Sequence, residues 1–142
     1  MRRLRRYLYQ GDNSDLPFWN EKAGVTLAVN VGHLPMYPAA GKYMIHSPMM
    51  DLESPQANNW LRIGDVLRLA VKEVECGGVV FVACDVGASR SVVFSGMVIA
   101  AVEHRRMDAR LLDEIRSPIA EPLPGLWRTA KAYVEDIYGG YL

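Results

Sequence analysis

The chain holds only two cysteines, Cys76 and Cys84, too few for a disulfide framework. They are not expected to bond to each other either. Read as a strand, Val79-Val80-Phe81-Val82-Ala83 separates the two sulfurs by roughly 17 Å at ~3.3 Å per residue. A disulfide tolerates only about 7 Å between Cα atoms. Cys84 is therefore expected as a free thiol, which a reducing cytoplasm permits. Net charge is absent as well: 16 Lys and Arg balance 16 Asp and Glu. The whole molecule is thus no electrostatic trap for nucleic acid, which is not an expected partner. No apolar run approaches the ~20 residues of a membrane helix, so no span is expected. Two cysteines and three scattered histidines are too few ligands for a metal centre. No cofactor is implied.

What remains is ordinary for a globular domain, with half of the residues hydrophobic and 23% charged. Nothing divides the 142 residues into repeats or low-complexity tracts, so one domain over 1–142 is expected. The start, Met1-Arg2-Arg3-Leu4-Arg5-Arg6, is basic. Tyr7-Leu8-Tyr9-Gln10-Gly11-Asp12 then turns polar where a signal peptide would continue apolar, and residues 1–6 read as a solvated basic tail.

Local patterns predict alternating strands and helices. Tyr7 to Tyr9 is a short candidate strand, and Asn13 to Lys22 a short helix ended by Gly24. Val25 to Val31 is rich in β-branched residues and reads as a buried strand. Lys42 to His46 is a weaker one. Ser54 as cap and Pro55 at the first helical position open the next helix. Its stripe of Trp60, Gly64, Leu67, Val71 and Val74 faces a core, and Gly77-Gly78 ends it. Val79 to Ala83 suits a strand buried on both faces of a parallel sheet. Val92 to Val102 is apolar nearly all round, as in a central buried helix, and Ala109 to Arg116 and Leu126 to Tyr138 complete the helices. The alternation predicts an α/β fold with a mostly parallel central sheet flanked by helices.

The chemistry concentrates in Cys84-Asp85-Val86-Gly87-Ala88-Ser89-Arg90-Ser91, between a buried strand and a buried helix. Backbone N–H groups of Asp85, Val86, Gly87, Ala88 and Ser89 can form an anion nest, strengthened by the dipole of the helix that follows. Gly87 allows a backbone conformation closed to other residues. Arg90 offers a planar fork matched to two phosphate oxygens. The same positive field favours the nucleophilic thiolate of Cys84. A nucleophile elbow would need a second glycine where Ser91 stands, and a nucleotide-binding loop would need Gly-Lys-Ser or Gly-Lys-Thr. An inert buried cysteine is the plain alternative.

The neighbours of this loop are read from topology. Loops leaving parallel strands of a β-α-β crossover share one edge of the sheet. With strands ending near His46 and at Ala83 as that pair, residues 47–54 hang beside Cys84. That segment offers Asp51 and Glu53. His33 and His46 lie near the same edge, with surface or packing roles expected.

Cys84-x-x-Gly87-x-Ser89-Arg90-Ser91 resembles the signature loop of the dual-specificity branch of the protein tyrosine phosphatases. The similarity runs from about Leu8 to Ile137, through Leu8-Tyr9-Gln10-Gly11-Asp12 and Met97 to Val102. The resemblance implies a phosphomonoester hydrolase with a phosphocysteine intermediate on Cys84, phosphate in the loop, Arg90 as its clamp and no cofactor. Asp51 matches the family's general acid, and Ser91 the hydroxyl that helps the cysteine leave. A shallow pocket is implied, with a phosphorylated protein or another phosphomonoester as substrate. Three departures stand out. Ala83 replaces a usual histidine; Asp85 brings a carboxylate into the loop, expected at its rim; and Pro122-Leu123-Pro124-Gly125-Leu126 lacks a usual asparagine. A phosphate-binding pseudophosphatase, and a sulfur-transfer or redox enzyme using the same loop, are the alternative readings.

Overall fold

The computed structural model describes residues 1–15 and 24–139. Five strands form one sheet: β1 (Arg2–Arg5), β2 (Leu8–Asp12), β3 (Leu27–Asn30), β4 (Tyr43–His46) and β5 (Val80–Cys84). Their order is β1-β2-β5-β3-β4, with β1 antiparallel to β2 and every other pairing parallel. Four helices among the described residues complete the α/β fold: α1 (Trp60–Glu75), α2 (Arg90–Glu103), α3 (Ala109–Ile115) and α4 (Pro124–Tyr138). None is long and apolar enough to cross a membrane.

The alternation along β5 divides the interior in two. Val80, Val82 and Cys84 face the large core with α1, α2 and α4, while Phe81 and Ala83 face a smaller cluster with Val25, Ala28 and Met36. Helix α2 is buried from Ser91 through Ala101, which explains its lack of a polar face. It ends at His104, whose left-handed φ of 52° closes the last turn.

Several expectations shift. The arginines of residues 1–6 do not form a solvated tail, because residues 2–5 add a strand to the sheet. Arg2 Nε donates to Gln10 Oε1 at 2.7 Å and Nη2 to the Ile115 carbonyl. Arg5 pairs with Glu103 and Glu114 at 2.8 and 2.7 Å. Ile115, Glu103 and Glu114 lie far along the chain, so the basic run looked unpaired in the sequence. Helix α1 begins later than expected. Ser54 and Pro55 start a 3-10 turn over Pro55–Ala57, and Asn59 caps α1 by accepting from the Arg62 N–H. The predicted helix over residues 13–22 appears as a 3-10 turn at Asn13–Asp15, and its remainder lies outside the described residues.

β4 and β5 are not neighbours, since β3 lies between them and the crossover through α1 passes over it. The shared edge survives this correction. The register aligns Asp12 with Cys84, Asn30 with Ala83, and Asn30 with His46, so all four parallel strands deliver their following loops to one side.

Candidate active site

Cys84 is the last residue of β5, and its thiol sits at the sheet edge with 1% exposure. The Gly87 N–H turns back to donate to Sγ at 3.2 Å. Gly87 adopts a φ of 74°, and a Cβ there would press on the Gly11 backbone at 3.1 Å. Glycine is therefore required both by the turn and by the close approach of β2. The backbone N–H groups of Val86, Ala88 and Ser89 have no acceptor among the described residues, which leaves them as donors for an external anion.

Ser91, in the first turn of α2, brings Oγ to 3.2 Å from Cys84 Sγ. That oxygen also accepts from Gln10 Nε2 at 2.8 Å, and the second Nε2 hydrogen goes to the Gly87 carbonyl at 2.8 Å. Gln10 is 1% exposed and is fixed at its other end by Arg2. The side chains beneath the loop thus form a continuous polar chain from β1 to the Cys84 thiol. Sequence reading assigned Gln10 no role. Its signal was weak: a polar side chain two residues from Leu8, on the same face of a short strand whose other residues are half-buried, and an unsatisfied amide there is costly.

Arg90 opens α2, and both terminal nitrogens of its guanidinium are engaged. Nη2 donates to Asp85 Oδ2 at 3.1 Å, and Nη1 donates to the Met49 carbonyl at 3.3 Å and lies 3.0 Å from His33 Nδ1. Asp85 also accepts from the N–H groups of His33 at 3.1 Å and Leu34 at 2.8 Å. Burial alone would raise its carboxyl above the ordinary 3.8, but the Leu34 and His33 N–H groups and Arg90 outweigh it and hold the carboxyl below that value. The carboxylate is therefore turned to the 33–34 turn, consistent with the expectation that it keeps to the rim. The turn itself is braced from below. Asn30 accepts from the Gly32 N–H and donates to the Leu34 carbonyl, and His46 Nε2 meets the Gly32 carbonyl at 2.8 Å. His33 and His46 thus have partners at this edge that their spacing in sequence did not show.

Residues 47–54 lie against the loop. Met49 meets Arg90 through its carbonyl, and Asp51 Oδ1 accepts from Ser89 Oγ at 2.6 Å. Ser89 Oγ in turn accepts from the Leu123 N–H at 2.9 Å. A backbone group makes this link, so leucine in place of asparagine does not break it. Glu53 packs elsewhere, its side chain against Gly125 at the start of α4. The structure therefore brings Cys84, Arg90, Ser91, Ser89 and Asp51 together, and Glu53 stays on the outer side. Among the described residues no group of three or more His, Cys, Asp or Glu is placed to hold a metal ion. Cys76 and Cys84 are both free.

No family model and no curated protein sequence matches the chain. Solved structures do. A mouse putative dual specificity phosphatase complexed with zinc tungstate superposes with a TM-score of 0.82 at 24% identity, over 97% of this chain and 88% of that one. Human DUSP28 gives 0.81 at 24%, over 97% and 98%. A human tyrosine phosphatase-like serine/threonine/tyrosine-interacting protein gives 0.75 at 20%, over 96% and 95%. The chain has the fold of the dual-specificity phosphatases.

Proposed function

We propose that the chain is a phosphomonoester hydrolase of the dual-specificity type, working through a phosphocysteine on Cys84. The observation that carries this reading is the placement of Sγ. It lies at the base of a loop with free N–H donors, beside Ser91, with Arg90 closing the loop at the start of α2 and Asp51 docked on it through Ser89.

In the first step the Cys84 thiolate attacks phosphorus in line with the leaving oxygen. The S–P bond forms, the P–O bond breaks, and Asp51 gives its proton to the departing oxygen. Loop N–H groups and Arg90 hold the equatorial oxygens as charge spreads over them. In the second step water attacks phosphorus, its proton passes to the Asp51 carboxylate, and the S–P bond breaks to restore the thiolate. The Ser91 hydroxyl stabilises that leaving thiolate, while Gln10 occupies its oxygen and so orients its single proton.

The substrate is a phosphorylated protein or a related phosphomonoester, and a reducing, cytoplasmic setting suits the free thiol. The deciding experiment follows turnover of an aryl phosphate with and without vanadate, combined with acid quenching to trap phosphate on Cys84. Vanadate-sensitive turnover with trapped phosphocysteine is expected. Turnover of thiosulfate or arsenate that survives Asp51→Asn would favour sulfur transfer or redox chemistry instead.

A second reading is a phosphate-binding pseudophosphatase. It draws on the pairing of Arg90 with Asp85 inside the loop, which offers the guanidinium a competing anion. Tungstate binding without any turnover would favour it.

A further inference from the structure

The guanidinium of Arg90 has five N–H groups on two usable edges. The terminal nitrogens are engaged, Nη2 by Asp85 and Nη1 by the Met49 carbonyl and His33. Nη2 makes one such contact and keeps a second hydrogen, and Nε–H has no acceptor among the described residues. Nε–H and an Nη2 hydrogen lie side by side along one edge of the group. Such a parallel pair is the geometry that grips two oxygens of one oxyanion.

We propose that Asp85 and His33 are positioning residues that hold the outer edge of Arg90 and so present its inner edge to the anion. The carboxylate at position 85, which appeared hostile to phosphate, then serves the site by facing away from it. Three features support this role over simple competition. Asp85 is fixed by two backbone N–H groups in addition to Arg90, so its carboxylate is not free to swing inward. Residue 32 is a glycine whose Cβ would stand 2.3 Å from Asp85 Oδ1, so the 31–34 turn is shaped around that carboxylate. The turn is itself tied to β3 and β4 by Asn30 and His46, giving the brace a rigid base. An arginine held in this way loses less rotamer freedom when the anion arrives.

The inference rests on the proposed phosphate chemistry of the loop, and the experiment separates the two. Competitive inhibition by inorganic phosphate, with kcat and KM on an aryl phosphate, is measured for wild type, Asp85→Asn, His33→Leu, Arg90→Lys and the Asp85→Asn/Arg90→Lys pair. Asp85→Asn is expected to weaken phosphate about tenfold, and His33→Leu about threefold, as the worth of a charge-assisted and of an ordinary contact. In the Arg90→Lys background, Asp85→Asn should add less than about twofold, because both act through one group. Unchanged or tighter phosphate binding in Asp85→Asn would overturn the proposal, tighter binding marking Asp85 as a competitor. Full additivity with Arg90→Lys would overturn it too, by showing an effect that bypasses the arginine. If Asp85→Asn fails to fold, His33→Leu, which leaves the loop untouched, carries the same test. Failure of wild type to bind phosphate or turn over the ester would instead reject the phosphatase reading itself.

Discussion

Ser89 Oγ donates to Asp51 across 2.6 Å and accepts from the Leu123 N–H at 2.9 Å, so one hydroxyl fastens three segments at the mouth of the site. The candidate acid is thereby held on the loop that would receive the phosphate. A general acid must carry its proton when the leaving oxygen departs, and activity should fall as alkali removes it. Asp51→Asn is expected to abolish that falling limb and slow turnover by about 10²–10⁴-fold. The loss should be smaller for a substrate whose leaving group is already a stable anion. Glu53→Gln should leave the profile nearly intact. A pH series of kcat on two aryl phosphates of different leaving ability checks all three. A large defect in Glu53→Gln alone would transfer the role to Glu53.

Cys84→Ser is expected to abolish turnover and retain oxyanion binding. The loop donors and Arg90 remain, but a serine hydroxyl stays protonated near neutral pH and is a far poorer nucleophile. Calorimetric titration with tungstate, beside an activity assay, reads both effects. Retained activity would remove the covalent mechanism.

Arg90→Lys is expected to lose affinity and rate together. Lysine keeps the charge but loses both forks, the one braced by Asp85 and the one facing the anion. Steady-state kinetics and phosphate inhibition check this. A near-normal rate would reduce Arg90 to a packing role.

Ala83→His tests the absent histidine, and the structure points to loss of stability. The side chain at 83 enters the cluster of Val25, Ala28, Met36 and Phe81, on the face of the sheet opposite Cys84. Its present exposure is 1%, so a ring must displace packed neighbours. Destabilisation of about 1–3 kcal/mol is expected from overpacking, without a higher rate per folded molecule. Urea unfolding and kcat normalised to titrated thiol measure the two separately.

Asp85 should leave a mark on acid stability. Its carboxyl is depressed in the folded chain, below the ordinary 3.8. Such a group contributes stability that is present above the unfolded value and is lost as pH falls through the folded value. Wild type should therefore exceed Asp85→Asn in stability near neutral pH and lose that advantage below about pH 4. Urea midpoints across this range give the difference. A constant gap would show that the carboxylate's charge contributes nothing.

The inner strands, the buried helix and the Cys84–Ser91 loop were legible because each depends on local pattern: β-branched runs, an apolar helix, and glycine where the turn needs positive φ. The loop over residues 47–54 was also legible, since parallel strands send their loops to one edge whichever strand intervenes. What escaped reading depends on distant partners. Nothing near Arg2 or Arg5 in sequence announces Ile115, Glu103 or Glu114, so a strand passed for a tail. The pairing of Asp85 with Arg90 required knowing that the His33-Leu34 turn presents its N–H groups there. Ala83 looked like a defect at the nucleophile because neighbours in sequence were assumed to share surroundings, whereas pleating sends them to opposite layers.

The first strand also anchors a buried amide beneath the site. Gln10 presents nitrogen to the Gly87 carbonyl and the Ser91 oxygen while its own oxygen is engaged by Arg2 Nε. A chain shortened to begin at Leu8 would keep every residue of the signature loop yet release that oxygen. The Gly87 carbonyl can only accept and would still hold the amide nitrogen, but the buried oxygen would be left without its donor and the link from β1 to Ser91 would lose its anchor. A boundary drawn by motif alone would thus preserve the letters of the site and remove a support beneath it.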